Sequence, residues 1–332
     1  TVGGLITTAK GMNLPDSRLT LPSLTQYDWQ CVEWAINHQV DVLALSFIRQ
    51  SSDVRELKGY LTRRTAPQTV IAKIEKREAL ENLEEIVLAA DAIMVARGDL
   101  GVEIDFAEAP MAQKRIISCC QRYSRPVIVA TQMLESMINA PMPTRAEVTD
   151  VANAILDGTD AIMLSAETSV GDYPVIATSV MAEVALEAEK ALNRVEIADR
   201  RRTGVQGLDS AIADAAVTTA DRVGAKVILA FTESGSTAER VAGFRPGIPI
   251  IVITPDARVG RGLALRWGVT VITSPRPNSI DEMFRQGSQI ALDSGLVKYG
   301  DRAVAVIGVP IGVHGSTNLL RVIDLPEPEA TS

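Results

Sequence analysis

Val95-Ala96-Arg97-Gly98-Asp99-Leu100-Gly101-Val102-Glu103-Ile104 is the stretch on which the reading of this chain turns. It grows out of an apolar run, Ala92-Ile93-Met94-Val95-Ala96, and breaks into Arg-Gly-Asp-Leu-Gly. An apolar run without alternation reads as a strand buried on both faces, the pattern of a parallel sheet. A charged triplet at the C-terminal end of such a strand is either a solvated turn or a site. The two glycines let backbone approach a ligand closely, and the Asp99 carboxylate suits a hard cation. Short Gly/Asp motifs are common, so this stretch alone favours the turn. The rest of the chain reverses that preference.

Around it the sequence alternates between strand-like and helix-like patterns. Strands are expected over residues 42–47, 70–75, 92–96, 126–130 and 161–165, and helices over about 52–63, 80–89, 111–122, 147–157 and 174–193. A further helix is expected from Thr25 to His38, because Thr25 with Asp28 resembles a capping box and Trp29, Val32, Ala35 and Ile36 share a face. His38, at its end, suits the helix dipole rather than catalysis. Such βαβα alternation implies parallel strands and right-handed crossovers. Every apolar run stops at polar residues: Ser46 and Arg49, Lys73 and Glu75, Arg97 and Asp99, Thr131 and Gln132, then Ser165, Glu167 and Thr168. In a (β/α)8 barrel the active site is built at the C-terminal ends of the strands. The expected fold is therefore α/β: a partial TIM barrel comprising the last five strands, followed by a C-terminal α/β three-layer domain. The chain opens in mid-pattern on Thr1, and the three strands that would close the barrel are expected before it.

Composition narrows the function. At 332 residues the chain is long enough for two cores. A formal net charge of -8 disfavours nucleic acid and anionic membrane as partners, though not a small anion held by local cations. Cys31, Cys119 and Cys120 lack metal-ligand spacing and do not make a disulfide framework, which fits a reducing compartment. No segment has the length and apolarity of a membrane span.

Residues 196–206, rich in Arg, read as a linker with a solvated charge cluster. Beyond it, residues 207–332 form a second α/β unit, with a helix over about 209–223 and strands over 226–231, 249–254, 269–273 and 303–309. Helices are expected over 258–267 and 280–292. Within this unit Thr232-Glu233-Ser234-Gly235-Ser236-Thr237 follows a strand and opens a helix. Free N–H groups and the helix dipole make that geometry suited to phosphate, although a hydroxyl-rich capped turn would look the same.

Three constellations carry chemistry. Lys73 and Glu75 are two apart on a strand and so project together. They are either a structural ion pair or a catalytic one in which Glu75 and Asp99 hold a divalent cation and Lys73 faces a transferring phosphoryl group. Thr131 offers a hydroxyl that caps backbone, binds a carboxylate or passes a proton. Ser165 and Glu167 fit hydrogen bonding behind the site better than direct catalysis. Lys10, in Lys10-Gly11-Met12-Asn13-Leu14-Pro15, is a solvated lysine unless its context makes it a phosphate ligand.

Together these residues carry a resemblance. Ile71-Ala72-Lys73-Ile74-Glu75 resembles the active-site signature of the pyruvate kinase family, and Ile93 to Gly101 resembles that family's metal-site strand. Ala130-Thr131-Gln132-Met133-Leu134-Glu135-Ser136-Met137, Pro143-Thr144-Arg145-Ala146-Glu147 and Ile162-Met163-Leu164-Ser165-Ala166-Glu167-Thr168 extend the likeness, with Ala166 where the family usually has Gly. The resemblance implies transfer of phosphate from phosphoenolpyruvate to ADP, giving pyruvate and ATP in glycolysis, with Mg2+ (or Mn2+) and K+. It implies Lys73 as the catalytic cation and Glu75 and Asp99 as metal ligands; for the proton that enolpyruvate takes up, Thr131 acting through water is this reading's own candidate. Gly98, Asp99 and Thr131 would hold the substrate carboxylate, and Lys10 a nucleotide phosphate. Thr232, Ser234, Gly235, Ser236 and Thr237 would bind a sugar-phosphate effector beneath a flap over residues 310–318 that includes His314. Residues 1–15 would be a remnant of the family's inserted lid domain and its connection, 16–195 the partial barrel, and 207–332 the regulatory domain. The K+ ligands would lie before Thr1. A cytoplasmic homotetramer is implied, and this polypeptide alone is expected to be inactive. Two other readings are a Mg2+-dependent keto-acid lyase or aldolase, and a non-catalytic truncated relative that binds a sugar phosphate.

Overall fold

The computed structural model describes residues 22–204, 207–310, 312 and 317–325. Strands β1 (Val42–Leu45), β2 (Thr69–Ile74), β3 (Ala92–Ala96), β4 (Val127–Ala130) and β5 (Ala161–Met163) form one sheet in that order. Every pairing is parallel, with Leu45 opposite Ala72, Lys73 opposite Met94 and Ala96 opposite Ala130. Alternation sends Val70, Ala72, Ile74, Ile93, Val95, Val127 and Val129 to a helix-covered face, against Val54, Leu57, Ile86, Ile116 and Ile117. Ile71, Ala92, Met94, Ile128 and Ala130 line the other face. β3 and β4 are buried along their whole length, whereas Ala44 of β1 is exposed and β5 is half-buried throughout. Among the described residues β1 and β5 each keep an unpaired edge, so the sheet is open, as expected of a partial barrel.

The helix expected at Thr25 runs from Gln26 to Asn37, and both halves of the Thr25/Asp28 capping box are made. The His38 ring lies 2.8 Å from the Trp34 carbonyl oxygen through Nδ1. The helix expected over 80–89 is broken at Asn82 into Arg77–Glu81 and Leu83–Ala89. Three α-helices lie outside the expected ranges: Arg97–Glu103, the single turn Ala166–Ser169, and Arg194–Arg202. Arg97–Glu103 is helical despite two glycines, with Leu100 and Glu103 buried. The linker expected at 196–206 is largely the helix Arg194–Arg202, and its charges are not all solvated. Arg201 is buried with its guanidinium 5.5 Å from the Phe244 ring, and burial, then the neighbouring Arg240 cation, pulls its pKa down to about 10.

In the second unit, β6 (Val227–Phe231), β7 (Ile250–Thr254), β8 (Val269–Thr273), β9 (Arg302–Ile307) and β10 (Leu319–Asp324) pair in the order β10-β9-β6-β7-β8. Only β9 with β10 is antiparallel. Ile228 and Ala230 of β6 face helices Leu208–Val223 and Ser236–Gly243, while Val227, Leu229 and Phe231 face Met283, Phe284 and Ala291 of helix Ile280–Asp293. Helices on both faces make the three layers that the sequence implied. The expected helix over 258–267 is shorter, Ala257–Gly262.

The two units are joined by a buried ion pair. Arg245 donates to both oxygens of Asp160 at 2.9 and 2.7 Å, with side chains 4 % and 3 % exposed. The same guanidinium donates to the Gly158 carbonyl at 3.0 Å and lies 5.3 Å from the Trp267 ring. Asp160 also accepts the N–H of Val127, the first residue of β4, at 3.1 Å.

Candidate active site

The C-terminal ends of β1 and β2 meet at Glu75. This carboxylate follows directly on β2 and is fully buried. Its Oε2 accepts the Phe47 N–H at 2.7 Å, and Phe47 reaches it through a left-handed backbone, φ 54. That conformation is uncommon for a bulky residue and marks a position held by its surroundings. Lys73 Nζ lies 2.5 Å from Glu75 Oε1 and donates to Ser46 Oγ at 2.8 Å. Oε1 meets the Lys73 ammonium and, among the described residues, no other donor. A carboxylate oxygen carries more than one lone pair, so beside the Lys73 contact Oε1 keeps a position that a metal ion can take.

Asp99 is half-buried in the first turn of helix Arg97–Glu103, directly after β3. Because β2 and β3 are paired neighbours in parallel, Glu75 and Asp99 leave the sheet at the same end. Among the described residues no group of three or more His, Cys, Asp or Glu is placed to hold a metal. Two carboxylates suffice for Mg2+, which keeps waters and substrate oxygens in its remaining positions. Two carboxylates at one end of the sheet are the donor type that a divalent ion takes.

Sequence reasoning missed the group that seats this helix. Lys76 Nζ lies 2.5 Å from Glu103 Oε1, with side chains 13 % and 6 % exposed, and 6.0 Å from the Phe47 ring. It ties the end of β2 to the helix that carries Asp99. Glu103 stands in the motif, but nothing in its spacing points to Lys76.

Thr131 follows β4 with φ 69, and Gln132 follows it with φ 53. The Thr131 hydroxyl accepts the Gly98 N–H at 2.8 Å and donates to the Ala130 carbonyl at 2.6 Å. Thr131 and Gly98 are thus brought together, but they are bound to each other. The Gly98 N–H, expected to face a substrate carboxylate, is engaged by Thr131, and the Thr131 proton is engaged by backbone. Glu167, 2 % exposed, accepts the N–H groups of Leu134 at 3.0 Å and Ser165 at 2.7 Å, the supporting role expected of it. Lys10 and His314 lie outside the described residues.

The hydroxyl-rich loop in the second unit borders a small pocket open to solvent, lined by Thr232, Ser234, Ser236, Thr237 and Arg276 among others. Gly235 stands at φ 90, immediately before helix Ser236–Gly243, a turn that favours glycine. Its N–H donates to Thr232 Oγ1 at 2.9 Å. Thr237 and Thr317 share a buried hydroxyl contact of 2.9 Å, which brings the far end of the 310–318 flap to the loop. Glu233 takes both hydrogen bonds of Arg276, at 2.8 and 2.7 Å.

Comparisons with known proteins bear on both units. The family model for the pyruvate kinase barrel domain matches residues 1–178, and that for the pyruvate kinase alpha/beta domain matches residues 210–323. A pyruvate kinase of Geobacillus stearothermophilus is 45 % identical over 322 residues, covering 96 % of this chain and 55 % of that protein. A pyruvate kinase of Mycobacterium tuberculosis is 43 % identical over 330 residues, covering 98 % of this chain and 69 % of that protein. A crystal structure of a pyruvate kinase from Cryptosporidium parvum superposes with a TM-score of 0.90 at 36 % identity, over 95 % of this chain and 64 % of that one. The chain thus spans little more than half the length of the first of these relatives.

Proposed function

This chain belongs to the pyruvate kinase family, and from that premise we propose that it carries phosphoryl-transfer residues for making pyruvate and ATP from phosphoenolpyruvate and ADP. The observation that carries the proposal is the buried Glu75 carboxylate, paired to Lys73 at 2.5 Å, with Oε1 meeting no other donor among the described residues. Glu75 and Asp99 would hold Mg2+ or Mn2+, which when bound supplies positive charge to phosphate oxygens. Lys73 presents its ammonium, oriented by Ser46, to the phosphoryl group as its bond to the enol oxygen breaks and a bond to ADP forms. Low exposure around Glu75 strengthens that electrostatic contact.

Thr131 would hold the substrate carboxylate by turning its O–H from the Ala130 carbonyl to the ligand, while the Gly98 N–H keeps Oγ1 in place. The same rotor gives a route, through water, for the proton that enolpyruvate takes up at carbon. Lys10 would reach a nucleotide phosphate, and a K+ site is implied by family alone. In the second unit a sugar phosphate would sit on the Thr232–Thr237 loop, where N–H groups at the helix start and several hydroxyls are available. A cytoplasmic homotetramer completes the proposal.

The edges of β1 and β5 that are unpaired among the described residues favour one further reading, that residues 1–332 alone bind ligands without turning over. A coupled assay with phosphoenolpyruvate, ADP, Mg2+ and K+ separates the two. Pyruvate is expected from the complete protein and not from residues 1–332 alone. A complete protein that forms none would remove the kinase reading.

A further inference from the structure

Thr131 and Gln132 are consecutive residues in left-handed backbone, at φ 69 and 53, and neither is glycine. A β-branched residue there is a conformational outlier that persists only where neighbours enforce it. The enforcing group is visible. Arg97 donates to the Thr131 carbonyl twice, from Nε at 3.2 Å and Nη2 at 2.7 Å, and to the Gln132 carbonyl at 3.2 Å. Its remaining terminal nitrogen, Nη1, is anchored 2.5 Å from Asp150 Oδ2, in the helix Arg145–Leu156. One residue along, the Gly98 N–H holds the Thr131 hydroxyl. Residues 97 and 98 therefore grip Thr131 from both sides, the first by its carbonyl and the second by its side chain. Arg97 is only 15 % exposed; its two contacts with the Thr131 carbonyl are part-buried, and the one with the Gln132 carbonyl lies at the surface.

We infer that Arg97, anchored by Asp150, is a positioning residue that holds the Thr131–Gln132 turn in its left-handed form and so fixes where the Thr131 hydroxyl points. The inference rests on the proposed role of Thr131 at the substrate carboxylate. Without the guanidinium, both residues relax toward ordinary backbone and the hydroxyl leaves the substrate's path. Glycine at 132 adopts positive φ without steric cost, so it should replace part of what Arg97 supplies.

The test uses the complete protein, with steady-state kinetics on Arg97→Met, Asp150→Asn, Gln132→Gly and the two doubles that add Gln132→Gly. Arg97→Met is expected to lower kcat/KM for phosphoenolpyruvate about 100-fold, chiefly through KM, with KM for ADP unchanged. Asp150→Asn, which keeps all three carbonyl contacts and serves if Arg97→Met fails to fold, is expected to lose about 10-fold. Gln132→Gly alone should stay within about 3-fold of the parent and should recover at least about 5-fold in either double. A merely structural or long-range electrostatic role would not be rescued by a glycine one residue away. Parent-like kinetics in both single variants, equal rises in both KM values, or doubles no better than their parents would overturn the inference. A parent protein that makes no pyruvate from phosphoenolpyruvate and ADP would remove the functional reading itself, and the inference with it.

Discussion

Replacing Arg245 by Met tests how the two units are held together. The change removes two hydrogen bonds to Asp160, one to the Gly158 carbonyl at 3.0 Å and one to the Ala242 carbonyl at 3.1 Å. It leaves the Asp160 carboxylate buried, with only the N–H groups of Val127 at 3.1 Å and Trp267 at 3.3 Å. Removing one partner of a buried pair costs about 3–5 kcal/mol, because the remaining charge is uncompensated. For 332 residues unfolding together, at about 2.1 cal/mol/K per residue, that is a fall in Tm of roughly 4–7 °C. Asp160→Asn together with Arg245→Met removes both charges, so the double variant should lose less than the sum of the singles, by about 2 kcal/mol. Arg261–Asp41 is the internal control. It also bridges the units, at 2.9 Å, but with side chains 51 % and 38 % exposed. Asp41→Asn should therefore cost at most about 1 kcal/mol. Thermal unfolding of the complete protein, followed by circular dichroism and by tryptophan fluorescence, to which Trp29, Trp34 and Trp267 contribute, reads all four. An Arg245→Met protein within about 2 °C of the parent, or singles and double that add, would refute the reasoning.

Glu147 caps the helix Arg145–Leu156; partial burial opposes its charge, but hydrogen bonds from Ser136 and Thr144 outweigh burial and hold its pKa below the ordinary value. Its contribution is present above the unfolded pKa of about 4.3 and lost as pH falls through the lower folded value, so Glu147→Gln should cost about 1 kcal/mol at pH 7, a penalty that fades below about pH 4 in urea titrations. Burial, then the neighbouring Cys119, pushes the Cys120 thiol well up, whereas Cys31 is exposed; a thiol reagent at pH 8 should label Cys31 at once and Cys120 only on unfolding, as mass spectrometry would show. Ser236→Ala with Thr237→Ala should abolish activation by a sugar phosphate while leaving unactivated turnover within about 2-fold, and unchanged activation would remove the loop from consideration.

What the sequence made legible was what local pattern controls. The apolar runs at 92–96 and 126–130 are buried on both faces in the fold, so their reading as parallel strands needed nothing distant. The Thr25/Asp28 box is a contact three residues long and was equally plain. Lys73 and Glu75 were paired by strand period, although β2 ends at Ile74 and Glu75 reaches its place just beyond it. The failures depend on tertiary contacts. Helix Arg97–Glu103 has poor intrinsic propensity with two glycines and is seated by Lys76, twenty-seven residues from Glu103. Helix Arg194–Arg202 looks like a solvated charge run until Phe244 takes up Arg201. Strand β10 went unread because its central residues, Arg321 and Val322, are exposed on an edge that only β9 covers. At the site, the residue types at the strand ends were legible. The mutual bond between Gly98 and Thr131 was not, because it depends on two positive φ values that no composition announces.

The most direct measurement follows phosphorus. With the complete protein, phosphoenolpyruvate, ADP, Mg2+ and K+, 31P NMR should show the enol phosphate resonance disappear as the γ-phosphate of ATP appears one for one. Lys73→Met should slow that exchange by at least about 1,000-fold while the protein remains folded. Free inorganic phosphate in place of ATP, or transfer at the parent rate in Lys73→Met, would contradict the account.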